Sequence, residues 1–150
     1  MKVVLQRVKR ASVKSAAMYH EIGPGLLLLV GIGEETVEQD VPVMAKKIVQ
    51  ARLFEDHEDK MNLSIKEIGG EILSISQFTL YADVRKGNRP SFTRAMRPDT
   101  ARAFYESFNR QLAAEGVTVK PGDFGEMMDI ELINDGPVTV IYECHEGKIR

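Results

Sequence analysis

The chain has 150 residues, 43% hydrophobic and 28% charged, the size and balance of one domain able to bury its own core. Its longest apolar run, Leu26–Val30, is closed by Gly25 and Gly31 and falls short of the roughly 20 residues of a membrane helix. The lone Cys144 allows no internal disulfide and lacks companions at zinc-ligand spacing, and the net charge of −2 argues against general binding to polyanions.

Taken in chain order, the opening residues Met1–Arg7 read as a strand broken by charges, without the apolar segment of a signal peptide, so a cytoplasmic protein is expected. Val3–Val8 and Ser12–Tyr19 read as strands. The turn Gly23-Pro24-Gly25 leads into Leu26–Ile32, a continuous apolar run typical of a strand covered on both faces. Val41, Met44, Ala45 and Ile48 are spaced for a helix ending near Ala51; Pro42 is tolerated only in its first turn, which makes Asp40 or Gln39 the cap. Arg52–Glu55 can form a short strand before the polar turn Asp56–Lys60, and Gly69-Gly70 precedes a strand over Glu71–Gln77. Ala101, Phe104, Tyr105, Phe108 and Leu112 form one stripe of a second helix that Gly116 terminates. Strands follow near Val117–Lys120, Asp129–Asn134 and Val138–Cys144. No repeat or linker divides the chain, so a single domain over residues 1–150 is expected. Its class is α+β, a curved, largely antiparallel sheet or partial β-barrel with two main helices packed on it.

Three segments carry chemistry. Ser76-Gln77-Phe78-Thr79-Leu80-Tyr81 places hydroxyl and amide groups at the end of an apolar strand, where they are costly unless used. Ser76 and Thr79 bonding to nearby backbone is the plainer alternative, and Phe78 is open to simple core packing. Asn134-Asp135-Gly136-Pro137-Val138-Thr139 reads as a turn between two strands, yet Gly-Pro is also a dipeptide able to adopt a cis bond. From Arg85 to Arg102, six basic residues, among them Lys86, Arg89 and Arg94, face only Asp99, a local patch for a few phosphates or a solvated loop. The histidines, His20, His57 and His145, lie in neither polar segment. Cys144 and His145, adjacent on a strand, point to opposite faces and do not form a catalytic pair.

SQFTLYA (Ser76–Ala82) and NDGPVT (Asn134–Thr139) resemble the two signature motifs of the D-aminoacyl-tRNA deacylase family, in the family's order. The resemblance spans essentially the whole chain, including Gln6-Arg7-Val8, Phe54-Glu55-Asp56, Lys86–Phe92 and Gly122–Gly125; Glu126 and Met18-Tyr19-His20 depart from the family pattern. It implies a homodimer in which Gly136 and Pro137, joined by a cis bond, enter the partner's site and exclude L-amino acids. Arg7 would brace that loop, with Asn134, Val138 and Thr139 as its other motif residues. It further implies a cofactor-free and metal-free hydrolysis of the aminoacyl ester, in which the terminal ribose 2′-hydroxyl helps activate water. Ser76, Gln77, Phe78 and Thr79 would position the ester and supply backbone N–H groups to the oxyanion. Glycine mischarged on tRNA-Ala would also be accepted. Lys86, Arg89 and Arg94 are the candidates for tRNA phosphates.

Overall fold

The computed structural model describes Met1–Arg150. In chain order the elements are β1 (Lys2–Lys14), β2 (Tyr19–Ile22), β3 (Gly25–Gly31), α1 (Asp40–Val49), β4 (Phe54–Glu55), β5 (Met61–Leu63), β6 (Glu71–Ser76), a one-turn 3-10 helix (Phe78–Tyr81), α2 (Pro98–Ala114), β7 (Thr118–Pro121), β8 (Asp129–His145) and β9 (Lys148–Ile149). Seven strands form one sheet in the order β7-β6-β3-β1-β8-β9, with β2 also on β1, while β4 and β5 make a separate ribbon. The pairs β1–β2, β1–β3, β1–β8 and β8–β9 are antiparallel, and β3–β6 and β6–β7 are parallel. The expected α+β class, with a curled sheet and two main helices, is what the chain adopts.

The curl comes from β1. The sequence reads as separate strands over Val3–Val8 and Ser12–Tyr19, but β1 runs unbroken through Lys9 and Arg10 to Lys14, with register shifts against β8 between Gln6 and Val8 and between Val8 and Arg10. Such bulges bend a strand and increase its twist without ending it. Its first half therefore pairs with β3 and its second with β2.

A second correction concerns the end of the chain. The two strands expected at Asp129–Asn134 and Val138–Cys144 are one, β8, and the segment between them is no hairpin. Asn134 pairs with Val8 and Thr139 with Gln6, so residues 135–138 leave the ladder opposite Arg7 and return to the same edge.

The apolar run of β3 is covered on both faces, as its composition requires. Leu26, Leu28 and Val30 pack with Val3 and Leu5 against Met44 and Ile48 of α1 and Phe108 and Leu112 of α2. Leu27 faces the opposite way, into a smaller cluster with Val8, Val13, Ile22, Leu73 and Ile75. Burying each such side chain contributes about 1.5–3 kcal/mol. Pro98 opens α2, where its missing N–H costs nothing, and Gly116, at φ +95°, follows its end. Gln39 caps α1 without a side-chain bond; Asp40, fully buried in the first turn, instead accepts the Val37 and Gly147 N–H groups at 3.0 and 2.7 Å. No helix is long and apolar enough to cross a membrane.

Candidate active site

Strand β6 carries buried Ile72, Leu73 and Ile75 up to Ser76. The Gln77 N–H then closes the ladder on the Val30 carbonyl at 2.8 Å, and the chain tightens into the 3-10 turn, with Leu80 N–H on the Gln77 carbonyl and Ala82 N–H on that of Thr79. This turn can lie against β3 because Gly31 faces it; a Cβ there would meet Leu80 Cβ at 3.0 Å. The N–H groups of Phe78 and Thr79 open the turn, and no carbonyl earlier in the helix stands in position for them.

The turn forms one wall of a cleft of about 810 Å³, largely apolar, to which Ser76, Gln77, Phe78, Phe92, Met96, Arg97, Phe124 and Met128 contribute. Phe78 is 55% exposed and meets Phe92 edge to face, with ring centroids 5.2 Å apart. Phe78 is therefore no core residue, and two exposed aromatic rings beside an apolar cleft suit a flat ligand. The Thr79 hydroxyl accepts from the Gln77 side-chain amide, a side chain rather than backbone partner. No histidine lines the cleft, and its only carboxylate is Glu126. His20 bonds to the Pro121 carbonyl, His57 is exposed in the turn after β4, and His145 lies 3.8 Å from Glu35.

The second motif lies elsewhere on the sheet. Arg7, 5% exposed, donates through Nε to the Asp135 carbonyl at 2.9 Å and through Nη1 to the Leu53 carbonyl at 2.7 Å. Its guanidinium is also 3.9 Å from Glu55 and 3.8 Å from the Asp135 carboxylate, which offsets the burial of its charge. Asn134 closes the loop from within: its Oδ1 accepts the Val138 N–H at 2.7 Å, and its Nδ2 donates to the Val138 carbonyl at 3.0 Å and to Thr139 Oγ1 at 3.2 Å. Gly136 has φ +145°, and a Cβ on it would come within 2.8 Å of Val138. The Gly136–Pro137 bond is cis, and both residues are exposed.

Within one chain the two motifs do not meet. The loop stands opposite Arg7, whereas Ser76 sits on the row of Val30 and Val3, four residues along the sheet and three strands across. That offset is roughly 13 Å by 14 Å. No residue of Asn134–Thr139 lines the cleft.

The basic segment divides as well. Two backbone bonds between Asp83 and Ser91, 2.7 and 2.9 Å, close a loop with exposed Lys86 and Arg89 on it. Arg85 forks onto the Asp83 carboxylate at 2.9 and 2.7 Å, which holds that carboxyl down at about 2. Arg94 is not grouped with them; it lines a separate polar cleft with Tyr81, Glu143 and His145. Phe92, Met96, Arg97, Phe124 and Met128 escaped sequence reasoning as site residues. For Phe92 and Arg97 a signal existed, an aromatic ring interleaved with basic residues. Cys144 is buried, its thiol 3.4 Å from Asp40, and burial together with that carboxylate lifts it to about 11. It is inert core.

These elements describe a small α+β protein that offers an apolar cleft edged by aromatic rings, and backbone donors without a positioned base. Its sequence places it among known proteins. The chain belongs to the D-Tyr-tRNA(Tyr) deacylase family, whose model matches residues 4–143. It is 58% identical to a D-aminoacyl-tRNA deacylase of Staphylococcus haemolyticus and 60% identical to one of Macrococcus caseolyticus, each over 149 residues and 99% of both chains. Among solved structures, one described as a c-Myc DNA unwinding element binding protein shares 41% identity and a TM-score of 0.90, covering 96% of this chain and 99% of its own. A probable eukaryotic D-amino acid tRNA deacylase, 18% identical, shares the fold with a TM-score of 0.78 over 93% of this chain and 97% of its own.

Proposed function

We propose that the protein hydrolyses the ester bond of D-aminoacyl-tRNAs in the cytoplasm, releasing free D-amino acid and tRNA. Family membership over nearly the full chain carries this reading. The terminal adenosine stacks at Phe78 and Phe92, since unpaired bases pack on exposed aromatic rings. Ser76 and Gln77 hold the ribose and ester, and the N–H groups of Phe78 and Thr79 receive the oxyanion. A water activated with help from the ribose 2′-hydroxyl attacks the ester carbon; the ester C–O bond breaks and the ribose 3′-oxygen leaves with a proton. This division suits a cleft without a histidine.

Selectivity comes from a second copy of the chain in a homodimer. Its loop, with Gly136 and Pro137 exposed and Val138 and Thr139 anchored by Asn134, enters the cleft and occupies the space that an L side chain needs. Glycine, with no side chain, is accepted when mischarged on tRNA-Ala. Lys86 and Arg89 contact phosphates of the acceptor stem, with Arg94 a more peripheral contact. The test is hydrolysis of D-Tyr-tRNA and L-Tyr-tRNA by purified protein. Rapid release from the D form alone is expected, and equal or absent release from both removes the proposal. A terminal 2′-deoxyadenosine should abolish turnover if the substrate assists.

A second reading, a nucleic-acid-binding module without chemistry, draws on the name of the DNA-binding relative and on the exposed basic loop. Binding indifferent to the aminoacyl ester, with no turnover, would favour it.

A further inference from the structure

Beneath the cleft lies a buried junction outside both motifs. Tyr105 projects from α2, 3% exposed, and its hydroxyl donates to the Ser74 carbonyl at 2.6 Å. The Gly122 N–H donates to that carbonyl at 2.8 Å and also points to the Tyr105 oxygen at 3.3 Å. One carbonyl of β6 thus ties α2 to the start of segment 122–128. Both cleft walls depart from this point. Ser76 lies two residues further along β6, and Phe124 two residues beyond Gly122, its ring centroid 5.7 Å from that of Tyr105 and 4.7 Å from the Arg102 guanidinium. The segment is pressed on β6 so closely that a Cβ on Gly122 would meet Ile75 Cδ1 and Met128 Sδ at 3.0 Å.

Core packing alone does not account for so polar a junction. Ser74 and Asn109 bring two further buried side-chain oxygens to the Tyr105 hydroxyl, polar groups whose burial apolar residues of similar shape would avoid.

We propose that Tyr105 is a positioning residue of the deacylase site, its hydroxyl fixing the gap between the Ser76–Phe78 wall and the Phe124–Met128 wall. The role rests on the cleft being where the aminoacyl end binds. Without the hydroxyl the walls separate, and the substrate loses contacts before the chemistry does.

Tyr105→Phe removes the hydroxyl and keeps the ring; kcat and KM for D-Tyr-tRNA are measured separately, beside the melting temperature. KM should rise about five- to tenfold while kcat stays within about twofold. A variant that is merely less stable loses active enzyme, which lowers kcat and leaves KM alone. Gly122→Ala, which stands outside the cleft lining and whose Cβ would push segment 122–128 off β6 at the same junction, should raise KM similarly and decides the matter if Tyr105→Phe does not fold. Unchanged KM in the folded variants, or a loss confined to kcat, overturns the role alone. A wild-type protein that leaves D-Tyr-tRNA intact overturns both the role and the reading beneath it.

Discussion

Arg7 shows how much one side chain does that a motif cannot display. Its fork reaches across the sheet to the carbonyls of Leu53 and Asp135, 46 and 128 residues away in sequence. Sequence likeness pointed to Arg7; the bonds themselves are long-range and left no local pattern. Arg7→Met keeps much of the stem but leaves two part-buried carbonyls without that partner, at about 1–2 kcal/mol. A melting point lower by several degrees and a rise in L-Tyr-tRNA hydrolysis relative to D are expected, and an unchanged D-to-L ratio would count against the bracing role. Thr79→Val tests the chemistry. Its hydroxyl is bonded to Gln77 and no histidine lines the cleft, so activity should stay within about tenfold, whereas a threonine nucleophile would lose nearly all of it. For Cys144 the folded thiol titrates above its ordinary value, near 11. Its contribution to stability is thus whole below about pH 9 and fades as the pH rises toward 11. Native protein at pH 8 should resist alkylation that urea-unfolded protein accepts.

At the level of elements, helical periodicity located both helices and an unbroken apolar run located the doubly covered strand β3, because one burial pattern dominates each of them. It failed at β1 and β8 for one reason. A bulge flips the inward face, so a strand that continues looks in sequence like one that stops. The loop at 135–138 reads as a turn because Gly136 and Pro137 are turn residues, although it is a detour from a single edge. The one-turn helix at Phe78–Tyr81 is too short for any period to mark it. The basic segment was legible as charge but not as geometry, since the pairing of Arg85 with Asp83 and the separate setting of Arg94 depend on the fold. Replacing Lys86 or Arg89 by Ala should weaken tRNA binding across sequences and reduce the salt slope by about one each. Arg94→Ala should change that slope less.

Across the whole molecule, the outer edge of β8 is the conspicuous unfinished surface. β9 pairs with Cys144 and His145, and the Arg150 N–H reaches the Glu143 carbonyl, which leaves the edge from Asp129 to Tyr142 without a strand partner, and Ile133 and Ile141 are exposed on that strand. Long bare edges invite pairing. Light scattering should give twice the 16.8 kDa of one chain, and a monomer at micromolar concentration would argue against a shared site. Local periodicity does not mark such an edge, because what it offers is backbone N–H and C=O, which nearly every residue carries.

That shared site is tested most directly with mixed dimers. One chain carries Gln77→Ala and Phe78→Ala, which spoils the cleft; the other carries Gly136→Ala, whose Cβ would press on Val138 and distort the loop. If the loop serves its partner, each mixed dimer contains one site with both parts intact and one with neither, so hydrolysis of D-Tyr-tRNA runs at about half the wild-type rate per dimer and with the wild-type preference for D over L. Mixed dimers that release L-Tyr as readily, relative to D, as the Gly136→Ala parent would show that the loop does not complete a neighbour's cleft.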